Sequence, residues 1–165
     1  MIIYTSHISS RFEYIVETLF ENSVSITNQK SEFENYTGAK INYSSEILSC
    51  NAVQVTPHQL LFEKNICQQT IECFEWNELK AFFKTNGDIP FDIFAASFFL
   101  ISRYEEYLSY EPDMYKRFPH ENSIAFKENF LHLPLINLWL CEFEKKLQSK
   151  FPSFLFDEQI GRAHV

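Results

Sequence analysis

Glycine is scarce in this sequence: three residues in 165, beside six prolines. That scarcity removes the phosphate-cradling and nucleophile-bearing motifs that depend on glycine for close backbone approach. No Gly-x-Gly-x-x-Gly, P-loop or Gly-x-Ser-x-Gly occurs, and His-Glu-x-x-His is missing too. So few sharp-turn residues also argue against a many-turned β-sandwich. The four cysteines, Cys50, Cys67, Cys73 and Cys141, include no Cys-x-x-Cys pair. A cysteine zinc site or thioredoxin-like motif is therefore not expected, and reduced thiols are. Basic residues are outnumbered, 14 to 22, for a net charge of −8, and no Lys/Arg cluster stands out. Nucleic-acid binding lacks its electrostatic footing. No long apolar run exists either. The stretch from Ile89 to Ile101 contains Asp92 and is too short to span a bilayer. The first residues, Met1 to His7, carry neither a basic start nor a long apolar segment. These absences predict a cytoplasmic protein with no membrane partner.

Aromatic residues are plentiful, with 18 Phe and 8 Tyr. Such rings bring large buried area per residue, which suits one well-packed domain. Ile2-Ile3-Tyr4 reads as a first strand. Ser9 or Ser10 then caps a helix whose apolar positions Phe12, Ile15, Val16, Leu19 and Phe20 have helical spacing. Val24 to Thr27 alternates and reads as a second strand, so the opening predicts a β-α-β unit with a parallel pair. Lys40–Ser44 and Ala52–Val55 read as further strands, with Gly38 turning into the first and Pro57 closing the second. Gln69–Phe74 is expected to be a strand and Glu75–Lys84 a short helix, with Trp76, Leu79, Phe82 and Phe83 on one side. Asp88-Ile89-Pro90 reads as the start of a buried helix running to about Leu108, apolar on most sides through Phe91, Phe94, Ala95, Phe98 and Phe99. Pro134 is expected to start a last helix through Trp139, Phe143 and Leu147. The fold class predicted is α/β: an N-terminal β-α-β unit with a small sheet, then a helical half built around a buried Phe-rich helix.

Four residue groups invite chemistry. Thr5 to Arg11 lies between a strand and a helix, where free amides, hydroxyls and Arg11 could meet an anion; plain N-capping is the simpler account. Asp92 and Arg103 share a face of the expected helix but lie roughly 16 Å apart along it, too far to pair with each other. Arg103 can reach Glu106 at i+3, and a structural ion pair competes with a ligand-binding role. Among the histidines His7, His58, His120 and His132, His120-Glu121 beside Asp113 has metal-binding residue types, though its spacing matches no known cluster. Finally, Tyr104, Tyr107, Tyr110 and Tyr115 could form an exposed aromatic surface. Arg103, Glu105, Glu106, Tyr107 and His120 are thus the candidate binding residues. An enzyme in its own right would need Asp92, Arg103 and His120 to converge.

The C-terminal Ile160-Gly161-Arg162-Ala163-His164-Val165 is what one frame of a widely used sequencing adapter encodes before a stop. Residues 160–165 are therefore expected to be foreign, the native sequence to continue past Gln159, and a single domain to occupy 1–159.

The stretch from Pro90 to Leu108, PFDIFAASFFLISRYEEYL, is the most distinctive of the chain. With Arg117–Ser123, Phe130–Trp139, Lys40–Ser44 and Leu60–Glu63, it resembles the uncharacterised N-terminal domain that precedes the catalytic domain in a group of bacterial polysaccharide-deacetylase-family proteins. The resemblance implies a downstream barrel that removes N-acetyl groups from sugars with a divalent metal held by one Asp and two His. Those motifs do not occur in this chain, so no catalytic residue carries over. It implies a non-catalytic domain in carbohydrate metabolism, with no cofactor of its own. The missing C-terminal deacetylase domain is its expected partner, and a glycan its expected ligand. A stand-alone glycan- or anion-binding module is the alternative.

Overall fold

The computed structural model describes residues 1–156. The expected foreign segment 160–165 lies outside the described residues. The chain opens with β1 (Ile2–Thr5), α1 (Ser10–Phe20) and β2 (Ser25–Thr27), and β1 pairs with β2 in parallel. Ser9 caps α1: its hydroxyl accepts from the Phe12 amide. That bond satisfies one of the free N–H groups at the helix start. A short α2 (Lys30–Asn35), absent from the sequence-based expectation, leads to β3 (Lys40–Tyr43) and then β4 (Val53–Val55). The four strands form a parallel sheet in the order β2-β1-β3-β4.

Alternation along the strands sends neighbours to opposite faces. Ile3, Ile41, Tyr43, Val53 and Val55 join the main core with Phe12, Ile15 and Leu19 of α1. Ile2 and Tyr4 turn the other way and pack on Phe33 of α2. The sheet is thus covered on both faces, as parallel sheets require.

Two expectations fail between residues 69 and 84. Gln69 to Cys73 is irregular, and the predicted helix is a hairpin of β5 (Phe74–Trp76) and β6 (Leu79–Ala81). Its two turn residues, Asn77 (φ 49°) and Glu78 (φ 65°), both have positive φ, the turn geometry that matches strand twist. Tertiary packing overrides the helical spacing. Trp76 meets Phe91 at 5.3 Å between ring centroids, and the Trp139 indole donates to the Lys80 carbonyl at 2.9 Å. Local propensity is a weak prior against such contacts.

The buried helix, α3 (Ile93–Ile101), is shorter than the expected 88–108. Asp92 is its cap, four residues later than expected, and accepts from the Phe94 and Ala95 amides at 3.0 Å each. Arg103 adopts a left-handed conformation (φ 52°), which ends α3, and Tyr104–Tyr107 forms a separate 3-10 turn. Residues Ile93 to Phe99 of α3 are all buried. A four-residue α4 (Ile124–Lys127) and the long α5 (Leu135–Lys150) follow, the latter beginning after Pro134 as expected. α5 packs on β4 and β6.

Asp88, expected at the start of α3, instead ties α5 to the sheet. It accepts from the Gln54 amide of β4 (2.8 Å) and from Lys150 of α5 (2.6 Å). Partial burial pushes its carboxyl up, but the Gln54 amide with Lys150 and Lys146 outweigh that and hold it below its ordinary value. Gly87 makes this approach possible. Its φ is 153°, and a Cβ there would lie 2.7 Å from the Gln54 carbonyl oxygen. No helix among the described residues is long and apolar enough to cross a membrane.

Candidate functional site

A groove of about 450 Å³ opens where the N-terminal half of α1 meets the end of α3 and the Tyr104–Tyr107 turn. Arg11, Tyr14, Ile66, Phe98, Ile101, Ser102, Tyr104 and Tyr107 line it. Arg11 projects from the first turn of α1. Its Nη1 and Nη2 donate to the Leu60 and Asn65 carbonyls at 2.7 and 2.9 Å. Its guanidinium lies 5.7 Å from the ring centroids of both Phe98 and Tyr104, within cation–π range. Tyr104 is buried because its hydroxyl both accepts from the Cys67 amide (2.9 Å) and donates to the Cys67 carbonyl (3.3 Å). It therefore leaves the expected exposed aromatic surface. Tyr110 also turns aside, onto Phe118. Tyr107 and Tyr115 stay about two-thirds exposed, at 65% and 66%.

The other candidates have identifiable partners. Arg103, 74% exposed, pairs with Glu106 one turn on. Glu105 accepts from the Ile124 amide at 2.8 Å and so fixes the start of α4 to the 3-10 turn. Burial pushes its carboxyl up. Tyr107 alone of the five expected binding residues lines the groove. His120 sits on a separate 3-10 turn, beside Glu121 and edge-on to Phe126. No hydrogen bond or ion pair among the described residues joins it to Arg103, Glu105 or Glu106. Asp113 does not join His120 either: its carboxylate accepts from the Tyr115 and Arg117 amides. Among the described residues, no group of three or more His, Cys, Asp or Glu is placed to hold a metal.

Among the described residues, Asp92 is the most perturbed carboxylate. It is fully buried and has four donors: the Phe94 and Ala95 amides, the Tyr43 hydroxyl at 2.6 Å and the His58 amide at 2.7 Å. Burial pushes its carboxyl up to about 6 against the pull of those donors. Burial, the Asp92 charge and their hydrogen bond keep the Tyr43 hydroxyl protonated. The Asp92–Tyr43–His58 junction joins the start of α3, β3 and the backbone at His58. Among the described residues, no hydrogen bond or ion pair joins Asp92, Arg103 and His120; each has other partners.

The model of DUF7033, a family of unknown function, matches residues 1–152. The chain belongs to that family. No curated protein and no solved structure matches it. The groove offers one cation, aromatic walls and hydroxyls. Tyr14, Ile66, Phe98, Ile101 and Ser102 escaped the sequence reading as groove residues. Tyr14 had left a signal: it is an aromatic on the polar side of α1, where Glu13 and Glu17 also lie.

Proposed function

We propose that this chain is a non-catalytic accessory domain that packs on, or positions substrate for, a polysaccharide-deacetylase-like domain of the same protein. The observation that carries the reading is the use of Asp92. Asp92, fully buried and with the site-like perturbation, engages four donors of its own fold with its carboxylate. Perturbed groups mark functional sites only when substrate can reach them. The first half of the Pro90–Leu108 stretch that carries the family resemblance, through α3, lies in this domain's own core, which fits a scaffold. No metal is needed in this chain under that reading. The divalent ion would belong to the partner domain.

The test is deacetylation of an N-acetylhexosamine oligosaccharide with added zinc. The isolated chain should release no acetate, while the whole protein should, and removing residues 1–152 from the whole protein should lower kcat/KM. Turnover by the isolated chain would overturn the proposal. A glycan-binding module is the second reading, favoured by the exposed rings of Tyr107 and Tyr115. It predicts a change in Tyr and Trp fluorescence on titration with the same oligosaccharide.

A further inference from the structure

Arg11 is placed against electrostatic preference. It stands in the first turn of α1, at the positive end of the helix dipole, where an anion and not a cation is stabilised. The chain carries a net charge of −8, so carboxylates are abundant. Yet no carboxylate among the described residues lies within ion-pair distance of Arg11, and none lines its groove. Two of its donors meet carbonyl oxygens, and its faces meet Phe98 and Tyr104. A guanidinium has five N–H donors, so others remain without an acceptor among the described residues.

Beneath the groove lies a second group without a partner. The Ser102 hydroxyl oxygen is shielded from solvent and has no hydrogen-bond partner. A hydroxyl buried without a partner is costly and calls for an explanation. Around these two lie apolar walls that are open to solvent: Tyr14 is 48% exposed, Ile66 50% and Tyr107 65%. Single exposed apolar residues are ordinary, but these three rim one groove.

We infer that this groove is a binding site for a small organic monoanion, a carboxylate attached to an apolar ring or chain. Arg11 would take the carboxylate, and Tyr14, Ile66 and Tyr107 would cover the apolar body. One cation and few free donors select a carboxylate over a phosphate dianion, whose recognition draws on several donors at once. A groove of about 450 Å³ suits a ligand of that size. The inference does not depend on the accessory-domain reading.

The test uses 4-phenylbutyrate as probe on the full chain, followed by amide and arginine side-chain NMR shifts. Its neutral amide and inorganic phosphate serve as the two comparison arms. The carboxylate should shift the Arg11 Nε–H and the amides of Ser102 and Tyr107 in a saturable way. Both comparison probes should bind at least about tenfold more weakly, the loss expected when a charge-assisted contact is removed. Tyr107→Ala, on an exposed ring, should weaken the carboxylate several-fold with the thermal midpoint unchanged. Arg11→Gln should abolish binding, and Arg11→Lys should restore part of it. Equal binding of the neutral amide, shifts confined to another surface, or full affinity in Tyr107→Ala would overturn the inference. The probe arms and Tyr107→Ala decide the matter even if Arg11→Gln unfolds.

Discussion

Asp92 shows how one residue can combine a local and a long-range task. As a cap it satisfies two amides of α3, and as a junction it accepts from Tyr43 and from the His58 backbone, 49 and 34 residues away. Its charge therefore has a defined effect on stability. The folded-state value of about 6 lies above the ordinary 3.8. The native state then holds the proton more tightly than the unfolded state. This group's contribution is fully present below the unfolded value and is lost as pH rises through about 6. The loss amounts to about 3 kcal/mol for a shift of that size. Urea unfolding of wild type and Asp92→Asn between pH 4 and 7 reads it directly. The wild-type advantage over the variant should shrink across pH 4–6 and then level off. A difference that grows with pH in that window would mean that the donors outweigh the burial.

At the scale of elements, the hairpin is the part that the sequence concealed. Phe74 to Ala81 has no glycine, so the two positive-φ turn positions fall to Asn77 and Glu78. Asn tolerates that conformation, whereas Glu pays a steric cost there. Glu78→Gly should raise stability by roughly 0.5–1 kcal/mol, because the relief of strain exceeds the added freedom of the unfolded chain. A rise in the thermal midpoint checks this. A fall would show that the Glu78 side chain has a stabilising partner. By contrast, the opening β1-α1-β2 unit followed from its pattern alone. A short apolar run gives way to helical spacing and then to the alternation of Val24 to Thr27, and Ser9 stands where a cap is needed. The helix α3 was legible in its buried character and not in its limits. Its true start depends on Asp92 and its end on the left-handed Arg103.

At the scale of the whole molecule, aromatic packing links the two halves. The Phe94 ring meets Phe12 and Phe20 of α1, Tyr43 of β3 and Phe143 of α5, at centroid distances of 5.1 to 6.2 Å. Edge-on geometry dominates these pairs, which favours the ring quadrupoles as well as burial. Phe94→Ala should destabilise the chain by about 3–5 kcal/mol, the range for emptying a buried ring site. Chemical denaturation with an unchanged m value would show a loss of packing and not a change in the unfolded state. A cost below about 1 kcal/mol would contradict the hub role.

The candidate site divides along the same line. Arg11 and Tyr107 were visible as polar or aromatic residues at element ends. The sequence could not reveal that α1 and the end of α3 bring them to one groove, because they lie far apart in the chain. What the sequence alone determined was the α/β class, the parallel opening unit, the aromatic core and the final helix. Those follow from local periodicity and caps, which need only neighbours a few residues away. What only the tertiary structure decided was the hairpin at 74–81, the transfer of Asp88 from helix start to the Lys150 tie, the burial of Tyr104, and the groove itself. Each depends on a partner distant in sequence, and such contacts outweigh local propensity once the core closes.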